Sequence, residues 1–187
     1  MTKLPSLPEN AHISDLFERF PASREAMMQF TQVVMREDAA LPVAVREMIA
    51  AYVSGLNQCT FCHGSHLVYA EAFGIPEGQL GATLDNLETA PVAEDLRALL
   101  GYVRKLNTLP SKIVQADIDR VLAAGWSEDA VFEAVQICGL FNMMNRIIEG
   151  SGVRFDYSKA DGGHPAKRPG MDVRDHSYSN TPMGRRG

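Results

Sequence analysis

The sequence lacks the features that mark membrane, secreted and nucleic-acid-binding proteins. No run approaches the roughly 20 consecutive apolar residues that a membrane-spanning helix requires, and the first residues, Met1 to Pro5, contain no apolar core like that of a signal peptide. The net charge of the chain is -5, so we expect no strongly basic face for nucleic acid. These absences predict a cytoplasmic protein that binds neither membrane nor nucleic acid.

Signals for β-strands are also nearly absent. Alternation of β-branched residues with a period of two does not recur, whereas apolar residues repeat at helical spacing through most of the chain. The pattern therefore predicts an all-α fold, a bundle of about seven helices. The predicted helices are Ser14–Phe20, Arg24–Arg36, one that begins at Pro42, Thr60–Phe73, Val92–Leu106, Gln115–Ala123 and Glu128–Glu149.

The helix that begins at Pro42 has two different faces. An apolar stripe runs along one side, and the small residues Ala51, Ser54 and Gly55 lie on the other. A small face lets a second helix approach closely, so we expect this helix to be buried on both sides.

The composition changes after residue 155. Residues 156–187 are polar, rich in glycine and proline, and could not bury enough apolar surface to fold alone. We therefore expect one helical domain over residues 1–155, with a redox core at residues 42–74, followed by an extension that packs on a neighbouring subunit.

Cysteine is scarce, and two of the three cysteines lie close together. Cys59, Cys62 and His66 have the spacing i, i+3, i+7, which puts them on one face of a helix. Cys59 falls at the start of that helix, where free N–H groups and the helix dipole lower the pKa of a thiol. The pair can close a disulfide across one turn, and His66 is suited to proton transfer near neutral pH.

Glu47 lies on the small-residue face of the preceding helix. If that face packs on the cysteine helix, the carboxyl group comes to lie beside the thiols. We expect burial to raise its pKa, so that Glu47 exchanges protons with a thiol directly or through water.

Other interpretations of these residues remain open. The cysteines are also compatible with two buried small apolar side chains, and Glu47 with an ordinary ion pair to Arg46 or Arg24. Zinc is disfavoured, because four ligands within eight consecutive helical residues, His63 among them, do not easily surround a tetrahedral ion. A third cysteine, Cys138, lies in an apolar run and is expected to be an inert core thiol.

The spacing of Glu47, Cys59, Cys62 and His66 resembles the motif of the alkylhydroperoxidase D-like group within the carboxymuconolactone decarboxylase superfamily. The core of the resemblance covers residues 42–73, and the helix pattern around it is similar to the peroxidase-related branch of that group. The resemblance implies an all-α fold that assembles as trimers or hexamers. It also implies a peroxide-reducing or disulfide-exchanging activity.

The resemblance implies a role for each of the four residues. Cys62 would form the sulfenic acid, Cys59 would be the proton donor and resolving thiol, and Glu47 and His66 would complete the proton relay. The position of Cys59 nearer the helix N-terminus, taken alone, favours Cys59 as the attacking thiol. One position departs from the pattern: the characterised peroxidase has a histidine just before the second cysteine, where this chain has Phe61. The decarboxylase branch acts on a lactone without a Cys-x-x-Cys pair, so the pair argues against that chemistry.

The leading functional hypothesis is a thiol peroxidase that reduces hydroperoxides and is restored by a dithiol partner, lipoyl or thioredoxin-like. It requires no metal, flavin or haem cofactor, and the chain contains no glycine-rich nucleotide-binding loop. The alternatives are a non-peroxidatic disulfide-exchange adaptor or redox sensor, and a helical oligomeric scaffold with vestigial cysteines.

Overall fold

The computed structural model describes residues 2–154, His164, and residues 169–170, 172 and 175–178. Within these residues the chain forms eight α-helices, two short 3₁₀ turns and no strand, which confirms the predicted all-α fold. The helices are α1 (Ile13–Arg19), α2 (Arg24–Arg36), α3 (Val43–Leu56), α4 (Thr60–Ala72), α5 (Gln79–Asp85), α6 (Glu94–Thr108), α7 (Gln115–Ala123) and α8 (Glu128–Ser151).

Most helix boundaries agree with the sequence prediction to within two residues, and those of α2 and α7 coincide with it. The sequence prediction missed α5, which has only seven residues and begins after Gly78 at a positive φ of 78°. Helix α6 begins two residues later than predicted. Arg97 explains the delay, because its guanidinium binds the carbonyl groups of Leu87, Ala90 and Val92 and holds that segment outside the helix.

Helix α3 is the centre of the fold. Every residue from Arg46 to Ser54 is buried, which confirms that this helix is covered on both sides. The buried guanidinium of Arg46 donates to the carbonyl oxygens of Leu41 (2.7 Å) and Glu37 (2.8 Å), so its polar atoms are satisfied without an acidic partner.

A tight turn joins α3 to α4 and fixes where the cysteine helix begins. Gln58 adopts a positive φ of 58°, and the N–H of Cys59 then donates to the carbonyl oxygen of Ser54 at 2.9 Å. Gly55 leaves room for the approach: a Cβ there would lie 2.6 Å from Leu84 and 3.1 Å from His63. The small face of α3 therefore receives α4, as the sequence pattern predicts.

Two peripheral segments cover opposite parts of α4. At the N-terminal end of the chain, the N–H of Lys3 donates to the carbonyl oxygen of Ser151 (3.1 Å), and Leu7 packs in the same apolar cluster as the cysteines. From the C-terminal extension, the N–H of Tyr178 donates to Gln32 of α2 at 2.8 Å. The described part of the extension thus contacts its own chain, and packing against a neighbouring subunit stays a prediction.

No α-helix in the described part of the chain is both long and apolar enough to cross a bilayer.

Candidate active site

The two paired cysteines lie at the first turn of α4 and are both free thiols. Cys59 is the N-cap residue and has no exposed surface, while Cys62, three residues on, is 4% exposed. The cluster around them is apolar and includes Leu7 and Ile148. The sulfurs are therefore shielded from bulk water.

The surroundings shift the pKa values of the two thiols in opposite directions. The thiol and backbone N–H of Cys62 favour the anionic form of Cys59 and lower its pKa, against the effect of burial. The pKa of Cys62 is raised well above that of an ordinary thiol, chiefly because its proton is held by Cys59 and because it is buried. Cys59 is therefore the more acidic of the two thiols, and its anion, once formed, accepts a hydrogen bond from the neutral Cys62.

Helix α8 supplies the other polar groups beside the thiols. Glu149 opposes the ionisation of both cysteines, whereas a hydrogen bond from Asn145 favours the anionic form of Cys62 and acts to lower its pKa. Neither residue is among the site residues predicted from the sequence. The signal was available, because Asn145 is a polar residue on an otherwise apolar helical stripe.

Glu47 and His66 form a second buried pair. The Nδ1 atom of His66 lies 2.6 Å from Oε2 of Glu47, and the two residues are 8% and 0% exposed. Because an ionised carboxylate only accepts hydrogen bonds, the ring donates from Nδ1. The edge of the imidazole packs on Phe141, with ring centroids 4.4 Å apart, which fixes its orientation.

The expected rise in the pKa of Glu47 is wrong. Burial alone would raise it, but the adjacent His66 and Arg36 more than offset burial and the pKa is lowered. Nη1 of Arg36 lies 2.5 Å from Oε1 of Glu47. The carboxyl group therefore stays ionised and is a fixed negative charge in the protein interior.

The cationic partner of Glu47 is Arg36 of α2, and neither of the two arginines considered from the sequence. Arg46 points to backbone carbonyls. The guanidinium of Arg36 also lies over the rings of Tyr69, Phe73 and Tyr178, 4.8 to 5.6 Å from their centroids. Aromatic faces of this kind stabilise a buried cation.

The C-terminal extension contributes two residues that the sequence analysis missed. The hydroxyl of Tyr178 donates to Oε1 of Glu47 at 3.0 Å. The ring of His176 stacks on Tyr69 with centroids 4.6 Å apart, and burial lowers the pKa of His176 to about 4. Because both residues lie in a polar, glycine-rich tail, no sequence pattern marks them as site residues.

The four predicted site residues thus form two pairs on the same helix pair. Cys62 and His66 are one turn apart on α4, but the described hydrogen bonds of Glu47 reach His66 and Tyr178, and none joins this carboxyl to a sulfur. Proton transfer between the pairs therefore requires an intervening water or substrate.

The two other residues considered from the sequence, Cys138 and His63, have side chains with roles elsewhere in the fold. Cys138 is buried in α8, and desolvation raises its pKa to about 11, as expected of an inert core thiol. Nδ1 of His63 lies 3.0 Å from the carbonyl oxygen of Ala51, so this histidine braces α4 against α3.

The sequence that forms this site matches a family model. Residues 21–105 match the carboxymuconolactone decarboxylase family, and the matched segment includes Glu47, Cys59, Cys62 and His66. No curated protein sequence matches the chain.

Solved structures share the fold at low sequence identity. A peroxidase-related protein with an alkylhydroperoxidase AhpD core from Ralstonia eutropha JMP134 has a TM-score of 0.74 at 20% identity, over 78% of this chain and 77% of that one. A protein of unknown function from Agrobacterium tumefaciens, suggested to serve in antioxidant defence, has a TM-score of 0.67 at 22% identity, over 75% and 95% of the chains.

A third similar structure has a different activity. The debrominase Bmp8, solved as a cysteine-to-alanine variant with 2,3,4-tribromopyrrole, has a TM-score of 0.65 at 16% identity, over 76% of this chain and 75% of that one. The shared fold is therefore compatible with more than one reaction.

Proposed function

We propose that this chain, whose residues 21–105 match the carboxymuconolactone decarboxylase family and whose fold is shared by a peroxidase-related protein with an alkylhydroperoxidase AhpD core, is a thiol peroxidase working through a Cys59/Cys62 dithiol–disulfide cycle. The observation that carries the proposal is the pair of free, buried thiols at the first turn of α4, one of which is more acidic and the other less acidic than an ordinary thiol. A peroxide-reducing cycle needs this combination of nucleophile and proton donor.

In the first step, a proton is relayed from Cys62 through Cys59 to the leaving alkoxide, and the terminal oxygen of the hydroperoxide is transferred to Cys62. The proton of Cys62 passes to the Cys59 thiolate, and the Cys62 thiolate attacks the terminal oxygen of a hydroperoxide. The S–O bond forms, the O–O bond breaks, and the alkoxide leaves with the proton of Cys59. Sulfur is oxidised to a sulfenic acid, and the hydroperoxide is reduced to an alcohol.

The second step closes the disulfide. The Cys59 thiolate attacks the sulfur of the Cys62 sulfenic acid, and hydroxide leaves. We assign the proton that converts this hydroxide to water to His66, delivered through a water molecule. Glu47 holds the imidazole by its Nδ1 atom and compensates its charge. A dithiol partner, lipoyl or thioredoxin-like, then reduces the disulfide.

The burial of both sulfurs supports a small oxidant over a protein disulfide as the first reactant. Cys59 is fully buried and Cys62 nearly so, and a hydroperoxide is small enough to reach such a site without the local opening that a larger partner, the dithiol reductant included, requires. The alternative function is a disulfide-exchange adaptor or redox sensor. It is favoured by Phe61, which occupies the position where the characterised peroxidase has a histidine and is only 9% exposed.

Stopped-flow oxidation separates these functions. Reduced protein is mixed with hydrogen peroxide or an organic hydroperoxide, and disulfide formation is followed in wild type, Cys62→Ser and the matched control Cys138→Ser. The peroxidase predicts fast oxidation that Cys62→Ser abolishes and Cys138→Ser leaves intact. A wild-type rate no greater than that of a free thiol contradicts it, and reduction of a disulfide substrate by the same reduced preparation, with the Cys59/Cys62 pair oxidised in exchange, would then identify the adaptor.

We also expect a homo-oligomer, a trimer or hexamer. Large apolar side chains of α2 and α8 remain exposed on the single chain, among them Val33 at 52% and Phe132 at 61%. Such side chains are typical of subunit interfaces. Light scattering on the purified protein measures the subunit count, and a monomer at micromolar concentration contradicts the expectation.

A further inference from the structure

A chain of asparagine side chains runs from the surface of α8 to the cysteine pair. Nδ2 of Asn142 donates to Asn107 (2.6 Å), Nδ2 of Asn107 donates to Asn57 (3.0 Å), and Nδ2 of Asn57 donates to Asn145 (3.0 Å). Asn145 is 3% exposed. The chain thus connects α6, the α3–α4 turn and α8 through amide groups alone.

The donor-to-acceptor direction of this series of hydrogen bonds is fixed at Asn142, its outer end. Nη1 of Arg146, which can only donate, lies 2.8 Å from Oδ1 of Asn142. The carbonyl oxygen of Cys138, which can only accept, lies 2.9 Å from Nδ2 of the same asparagine. These two partners determine which end of the Asn142 amide is nitrogen, and each amide along the chain must then donate to the next.

At the inner end, the chain leaves Asn145 as a donor. Its oxygen is occupied by Asn57, and its nitrogen lies 3.0 Å from Oγ of Ser54. The carbonyl oxygen of Ser54 accepts the N–H of Cys59, so one residue of α3 holds both the amide and the start of the cysteine helix. Asn145 is also the side chain that hydrogen-bonds Cys62, and because its oxygen accepts from Asn57, its second N–H is the group that donates to the sulfur.

We propose that Asn145 is a catalytic residue of this site, an oriented amide donor that stabilises the Cys62 thiolate formed when the proton moves to Cys59. The inference rests on the proposed function, in which Cys62 is the attacking sulfur. Asn57, Asn107 and Asn142 are positioning residues, because they act only by fixing the direction of the Asn145 amide.

The surroundings of Cys62 explain why such a donor is needed. The titratable groups that face it are Cys59, which is the better anion of the pair, and Glu149 of α8, which repels a second negative charge. The remaining neighbours are apolar, among them Ile148 and Leu7. The Asn145 amide favours negative charge on the Cys62 sulfur, because its hydrogen bond acts to lower the Cys62 pKa.

The test isolates Cys62 and measures its acidity without peroxide. In a Cys59→Ser, Cys138→Ser background, the rate of alkylation by iodoacetamide is followed against pH, alone and with Asn145→Leu, Asn145→Ala or Asn107→Ala, none of which adds a charge. We expect the Asn145 variants to raise the Cys62 pKa by about one unit, the usual effect of losing a hydrogen bond to the charged form. Asn107→Ala, which removes orientation only, raises it by less.

The control is Asn86→Ala, the same truncation at an exposed residue, whose amide oxygen accepts the N–H of Glu88. Circular dichroism confirms that each variant is folded. An unchanged Cys62 pKa in a folded Asn145 variant overturns the proposal. If neither Asn145 variant folds, Asn107→Ala decides in the same way. A wild type that alkylates as predicted but does not react with peroxide refutes the proposed function and leaves the role of Asn145 standing.

Discussion

The imidazole of His66 donates a 2.6 Å hydrogen bond to the carboxylate of Glu47, and this contact joins the cysteine helix to the central helix of the fold. Arg36 approaches the other carboxylate oxygen. A buried anion is tolerated here because a cation and two hydrogen-bond donors surround it. The pair therefore contributes to stability as well as to proton transfer.

Glu47→Gln tests the charge at this position. The variant leaves the buried guanidinium of Arg36 without its anion, so we expect a loss of about 3 to 5 kcal/mol in the free energy of unfolding at pH 7. Urea denaturation measures it. The matched control is Glu94→Gln, because the side chain of Glu94 is 86% exposed and pairs with Arg97 at the surface; the stability of this variant should stay within about 0.5 kcal/mol of wild type.

Glu47→Gln should also change how the stability of the protein depends on pH. The pKa of Glu47 is lowered by folding from an ordinary value of 4.5, so its contribution to stability is present above that pH and is lost as the pH falls through the folded-state value. Wild type should lose stability in this range, and Glu47→Gln should lose less. Parallel curves for the two proteins below pH 4.5 would contradict the lowered pKa.

Tyr178→Phe tests the contact between the C-terminal extension and the site. It removes the hydroxyl that donates to Glu47 and keeps the ring beside Arg36, so we expect a loss of about 1 to 2 kcal/mol. Tyr52→Phe is the control, because the buried hydroxyl of Tyr52 has no hydrogen-bond partner in the described part of the chain. Thermal unfolding compares them, and an equal effect of both substitutions would argue against docking of the extension.

Most of the helical framework could be predicted from the sequence, because α2, α3 and α7 carry regular apolar spacing and clear ends. The positions of Cys59 and Cys62 followed from the same pattern. The partners of Glu47 could not be predicted, since Arg36 lies eleven residues away on another helix. The contact of Tyr178 with Glu47 spans 131 residues and depends on tertiary packing, which local periodicity does not encode.

Leu7→Ala tests how reagents reach the thiols. Leu7 is 7% exposed and packs over the cysteine cluster, so truncating its side chain should promote local opening of the N-terminal segment. We expect alkylation of the cysteine pair to accelerate by roughly tenfold, in line with a loss of about 1.4 kcal/mol in local stability.

The control for this variant is Leu99→Ala, a fully buried leucine of the main core. It should lower global stability by about 2 to 5 kcal/mol and leave the alkylation rate unchanged while the protein remains folded. If both variants accelerate alkylation equally, reagents reach the thiols through global unfolding, and the N-terminal segment has no special role.

The central claim is that Cys62 is oxidised by hydroperoxide to a sulfenic acid. The most direct measurement uses Cys59→Ser, in which the resolving thiol is absent, treated with one equivalent of cumene hydroperoxide in the presence of dimedone and analysed by peptide mass spectrometry. The account predicts a dimedone adduct on Cys62, with cumyl alcohol formed in equal amount. No adduct on Cys62, or an adduct on Cys138 alone, would contradict it.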